Sequence, residues 1–130
     1  MATSRSCALL IVATAAALAG CAAQGPSLAG YSGLQWEVIS FYGARAMEEG
    51  AMCPQPQITA VTRTRVLEET PERVVMDIDY HYRDDTMTVE ADTGGTKYGC
   101  DGFGERRFTF ARGGDGGLDP VSMTGPQKGR

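Results

Sequence analysis

The chain reads as an α+β domain, with one N-terminal helix laid across an antiparallel meander sheet of four to five strands. Two observations predict this. Apolar residues recur at helical spacing from Leu34 to Glu49, and after Cys53-Pro54-Gln55-Pro56 the period drops from 3.6 to 2. No second helical pattern follows, so the strands connect by turns and run antiparallel, and the helix covers one face of their sheet. A chain of 130 residues has room for one such domain.

The helix comes first. Ser32-Gly33-Leu34-Gln35 has the form of a capping box, with Ser32 accepting from a first-turn amide and Gln35 reaching back. Leu34, Val38, Phe41, Tyr42 and Arg45 share one stripe, with Trp36, Ile39, Gly43 and Met47 beside it. Glu37, Ser40, Ala44 and Glu48 form the wetter face. An apolar arc this wide places the helix deep against a partner, and Gly50 is the expected stop.

Residues 58–69 and 73–83 are rich in Val, Ile, Thr and Tyr and flank Thr70-Pro71-Glu72. A three-residue loop sets Glu69 against Arg73, Leu67 against Val75, Arg65 against Asp77 and Arg63 against Asp79. The other face pairs Val66 with Met76, Thr64 with Ile78, Thr62 with Tyr80 and Ala60 with Tyr82. Opposite charges then meet on one side and apolar groups on the other, and a slip of one residue destroys both patterns. A second hairpin through Asp84-Asp85 is expected to lay 87–91 beside 73–83, with Tyr82 against Met87, Tyr80 against Val89 and Ile78 against Ala91. Residues 92–102 are glycine-rich. A strand over 104–112 turns Phe108 and Phe110 inward, and a turn at 113–117 leads to a last strand, 118–124, which Pro120 marks as an edge. Residues 125–130 are expected to be a disordered tail. The assembled shape resembles the helix-on-curved-sheet architecture of cystatin-like folds, a likeness that carries no motif and implies no activity.

The first residues have a different character. One positive charge, Arg5, precedes an unbroken apolar and small-residue run, Cys7 to Ala19. That is the build of a secretory signal over residues 1–20. The run falls short of the ~20 apolar residues that a membrane-spanning helix needs. It ends in Leu18-Ala19-Gly20-Cys21, which resembles the bacterial lipobox: an aliphatic residue, two small residues and a cysteine. The resemblance implies cleavage before Cys21, a diacylglycerol thioether on its sulfur and an acyl chain on its new amine, the only prosthetic groups expected. Ala22 stands where an aspartate often retains such lipoproteins in the inner membrane, which favours an outer-membrane, periplasm-facing address. Residues 21–33, small, polar and interrupted by Gly and Pro, are read as the lipidated N-terminus and a flexible tether, and 34–124 as the domain.

The cysteine count then closes. Four are present; Cys7 leaves with the signal and Cys21 carries lipid, so Cys53 and Cys100 remain as one disulfide in an oxidising compartment. Two isolated cysteines with no CxxC and no nearby histidine make a poor zinc set. Loss of Arg5 leaves eleven basic residues against sixteen acidic ones, a formal charge of −5. That balance gives no basic footprint for nucleic acid.

His81 is the sole histidine. The derived register puts it on the polar face with Asp77 and Asp79, where it reads either as an oriented base or metal ligand, or as part of a solvated face whose aspartates pair with Arg63 and Arg65. Same-face residues lie about 7 Å apart along a strand, too far to share one small ion. Ser27, Ser32, Ser40 and Ser122 sit on no nucleophile elbow. The single Gly113-Gly114-Asp115-Gly116-Gly117-Leu118-Asp119 segment is similar to a calcium-binding nonapeptide but is one copy of a repeat that needs stacked neighbours. Asp84-Asp85 and Asp101 lack calcium-loop spacing. Trp36, Phe41, Tyr42, Tyr80, Tyr82, Phe108 and Phe110 read as core. The expectation is therefore a non-catalytic envelope lipoprotein, without metal, that binds a protein partner or supports an assembly. The alternative is a small-ligand module whose pocket, between helix and sheet, is lined by Trp36, Tyr42, Tyr80 and Tyr82.

Overall fold

Backbone hydrogen bonding in the computed structural model, which describes residues 26–48, 53–90 and 93–129, yields one helix, a four-stranded antiparallel sheet and a separate two-stranded ladder. In chain order these are α1 (Leu34–Arg45), β1 (Gln57–Glu69), β2 (Arg73–Arg83), β3 (Thr88–Glu90), β4 (Thr96–Tyr98), β5 (Asp101–Arg112) and β6 (Leu118–Met123). The main sheet runs β1-β2-β5-β6, and β3 pairs with β4. The signal run, the lipobox and Cys21 lie outside the described residues.

The centre of the first hairpin pairs as the charge pattern demands: Arg65 with Asp77, Arg63 with Asp79, Val66 with Met76 and Thr64 with Ile78. Both ends depart from the expected register, because β1 bulges between Ile58 and Ala60, between Val61 and Arg63, and between Val66 and Glu68. The first two bulges bring Val61 opposite Tyr80 and Ile58 opposite Tyr82, where strict alternation would put Thr62 and Ala60. β-branched hydrocarbon thus replaces a hydroxyl and a methyl on the core face. The third carries Glu68 opposite Val75 and within reach of Arg73, whose guanidinium donates to both its carboxylate oxygens at 3.1 Å. Bulges of this kind also twist an edge strand away from edge-to-edge pairing.

The second hairpin differs from expectation. Residues 88–90 do not pair with β2; β5 does, in unbroken register from Arg73–Ala111 to Arg83–Asp101. A twelve-residue strand bearing Phe108 and Phe110 offers a far longer ladder and more apolar area than three residues around Val89. The disulfide Cys53–Cys100, with Cα atoms 5.4 Å apart, ties the segment before β1 to the start of β5. Asp84 finishes the junction. It accepts from the Gln55 amide at 2.8 Å and from the amide and hydroxyl of Thr86 at 2.9 and 2.5 Å, while its own amide donates to Cys100. Burial opposes its charge, but those hydrogen bonds outweigh it and hold the Asp84 carboxyl below the usual range.

The helix begins and ends otherwise than its sequence suggests. Gly33, not Ser32, is the N-cap, at φ 73° and without a side-chain cap. The carbonyls of Tyr31 and Pro26 accept from the amides of Leu34 and Gln35 instead. Residues before it, assigned by composition to the tether, are already bound: Leu28 is 5% exposed, and it exchanges two backbone hydrogen bonds with Tyr31 around Ala29 and Gly30, both at positive φ. At the far end the helix stops at Arg45 rather than near Gly50, because the C-terminal residues intercept it. Ala46 bridges Gln127, Met47 donates to Pro126 O and Lys128 donates to Arg45 O. The segment 125–129, expected to fray, is therefore paired.

Between α1 and the sheet lie Val38, Tyr42, Val74, Met76, Ile78, Phe108 and Phe110, all fully buried. Phe41 and Tyr82 pack against this core. Trp36 does not: it is 58% exposed, which corrects its assignment to the core.

Candidate functional site

The four aromatic residues expected to line a pocket separate in the structure. Tyr42 and Tyr80 meet edge to face at 5.0 Å, and Tyr80 and Tyr82 lie 6.1 Å apart, whereas Trp36 stands on another surface. Tyr42 and Tyr80 are buried in the core, where they pack against each other rather than lining an open space. Both hydroxyls donate to Glu48 Oε1, at 2.5 and 2.7 Å. Burial, then the hydrogen bond to Glu48, pushes each phenol well above its ordinary range, so both remain donors.

Arg106 completes that cluster from β5. It is 2% exposed, and every donor on its guanidinium has an acceptor. Nε donates to the Tyr80 hydroxyl at 2.8 Å, Nη1 to the carbonyls of Thr124 and Pro126, and Nη2 to Met47 O at 2.6 Å and to Glu48 at 3.4 Å. One signal for it is present in the sequence: in β5 the alternation that turns Phe108 and Phe110 inward also turns Arg106 inward. Gly104, opposite Tyr80, has no side chain for a related reason, since a Cβ there would stand 2.7 Å from the Tyr80 hydroxyl oxygen. The cleft left over Gly104, rimmed by Tyr82, Glu105 and Pro126, holds about 270 Å³. That lies under the roughly 300–1,000 Å³ of typical small-molecule sites.

The face of the sheet opposite α1 is built from charge. Arg107 grips Asp77 with two bonds, at 2.8 and 3.2 Å, and Arg65 reaches the same carboxylate at 3.2 Å. The Arg107 hydrogen bond is the main reason the Asp77 carboxyl titrates below its usual range; burial opposes it and Arg65 assists. In the next row Arg63 pairs with Asp79 at 3.0 Å, but Glu105 stands directly opposite Asp79. The hydrogen bond the two carboxyls share, followed by burial and repulsion, raises Glu105 despite Arg65 at 3.5 Å. Because its folded-state value is raised, Glu105 favours the fold when protonated and loses that contribution as pH rises. Glu105→Gln is therefore expected to raise the denaturation midpoint at pH 7, with the gain vanishing below roughly pH 4, where carboxyls are protonated in folded and unfolded chains alike. Equal midpoints for the two proteins at pH 7 would contradict it.

His81 sits at one end of this face. Its companions are not Asp77 and Asp79. Thr59, on the first β1 bulge, hydrogen-bonds Nδ1, and Asp101, at the start of β5, hydrogen-bonds Nε2. Hydroxyl, imidazole and carboxylate form a line across three strands, in the order of an acid–base relay. The Thr59 hydroxyl also donates to the His81 carbonyl at 3.3 Å, which fits a cross-tie holding the bulge in place. Directly opposite His81 is Phe103, with ring centroids 4.9 Å apart, and Phe103 is 77% exposed. Sequence reasoning singled out His81, weighed Asp101 only as a calcium ligand and put Glu48 on the wetter face of the helix; it missed Phe103 and Arg106.

The glycine-rich segment 113–117 closes the β5–β6 hairpin, with Gly113 donating to Gly117 O and Asp115 accepting from the Gly117 amide. Among the described residues, no group of three or more His, Cys, Asp or Glu is placed to hold a metal ion. Comparison with protein-family models, curated proteins and solved structures gives no match to this chain.

Proposed function

We propose that the chain is a lipid-anchored envelope protein whose domain holds a protein partner on the sheet face opposite α1, without catalysing a reaction. Phe103 carries this reading. Leaving a large apolar side chain in water forgoes ~1.5–3 kcal/mol, and this one stands on a face that also presents Arg63, Arg65 and Arg107. Aromatic and arginine side chains are the groups that dominate protein interfaces. The lipobox resemblance supports the anchor, and the Cys53–Cys100 disulfide suits an oxidising compartment. The alternative, a small-ligand module with one pocket lined by Trp36, Tyr42, Tyr80 and Tyr82, finds less support, since Tyr42 and Tyr80 are buried in the core and Trp36 stands apart from them.

A photoreactive side chain placed at Phe103 in the full, processed chain tests the reading in cells. One discrete, stoichiometric protein adduct is expected from that position and none from Glu72, in the turn at the other end of β2. No adduct from position 103, or the same products from both, would overturn it.

A further inference from the structure

A second surface extends that reading and rests on its lipid anchor. Trp36 and Tyr31 wall a cleft of about 690 Å³ between the start of α1 and the β5–β6 turn, rimmed by Glu37, Asp115 and Asp119. Among the described residues, no lysine or arginine lines it. The chain reaches this cleft directly from the proposed anchor. The Gln35 amide, one residue before Trp36, donates to Pro26 O at 3.3 Å and pins Pro26 to the first helical turn. Four residues separate Cys21 from Pro26, so the two lie at most ~18 Å apart whatever path the chain takes. A lipid on Cys21 therefore keeps Trp36 close to the bilayer surface.

We propose that this face docks on the membrane that holds Cys21, with Trp36 in the headgroup layer and the acidic rim receiving the ammonium of a zwitterionic lipid such as phosphatidylethanolamine. Tryptophan is a side chain that settles at membrane–water interfaces. A cation is drawn both to the indole face and to the carboxylates. The same rim repels an anionic headgroup, which selects zwitterionic over acidic lipid. Docking also orients the domain: α1 lies toward the bilayer, and the sheet face bearing Phe103, on the other side, points away from it toward a partner.

Trp36 is the only tryptophan, so its fluorescence reports this surface alone. The lipidated, full-length mature protein is reconstituted into vesicles of phosphatidylethanolamine and phosphatidylcholine carrying lipids brominated near the headgroup. Expected are a blue shift, quenching by the brominated lipid and protection from aqueous acrylamide, all weakened when phosphatidylglycerol replaces half the lipid. Protein that floats with the vesicles while Trp36 stays open to acrylamide would overturn the docking and leave the anchor standing. Protein that does not float would overturn the anchor and the docking with it. A shift caused only by an added lysine-rich peptide would give the cleft to a basic protein partner instead.

Discussion

Replacing Arg106 with methionine is expected to destabilise the domain by about 3–5 kcal/mol, the range for removing one partner of a buried ion pair. The physical reason is the company it keeps. Glu48 would remain beside two tyrosine hydroxyls without its cation, and the carbonyls of Met47, Thr124 and Pro126 would lose their donors together. Arg106→Lys should recover little, because an ammonium is a point charge that cannot span five acceptors arranged around a planar fork. Adding Glu48→Gln to Arg106→Met should destabilise less than the two single changes summed, since the stranded carboxylate is then gone. Urea denaturation reads all of this as a fall in midpoint. A loss under ~1 kcal/mol, the size of an exposed ion pair, would show that Arg106 does not hold the C-terminal segment to the helix exit.

Removing the disulfide comes next in size. Cys53 and Cys100 are separated by 47 positions, and releasing a loop of that length returns about 4 kcal/mol of chain entropy to the unfolded state. Cys53→Ala with Cys100→Ala should lower stability by that amount, and a thiol reductant should lower the parent protein's stability while leaving the double variant unchanged. Asp84→Asn acts on the same junction, because Asp84 binds the segments that carry both cysteines. Its effect should therefore shrink once the bridge is gone. Equal effects in both backgrounds would mean that bridge and carboxylate act independently.

Much of the fold was legible before any coordinates. The change of period separated helix from sheet, and the alternating charges of Arg63, Arg65, Asp77 and Asp79 set the centre of the first hairpin, because each pattern is a local property of the chain. Less was legible at the ends of β1, where three bulges exchange Thr62 and Ala60 for Val61 and Ile58 on the core face. No local rule announces a bulge; it arises because β-branched side chains pack better under Tyr80 and Tyr82. The partner of β2 was misread for a similar reason. Proximity along the chain favoured 87–91, but eleven paired residues and two buried phenylalanines on β5 outweigh a short connection.

The candidate surfaces divide along the same line. By itself the sequence determined that one helix precedes the long strands of the main sheet, and it determined the four central pairs of the first hairpin, both readable from residue type and spacing. Only the tertiary structure decided that Trp36 faces water, that His81 pairs with Thr59 and Asp101, and that Glu48 and Arg106 meet inside. The last two outcomes depend on groups 20 to 58 positions apart, and a contact across that distance exists only once the sheet has brought the strands together.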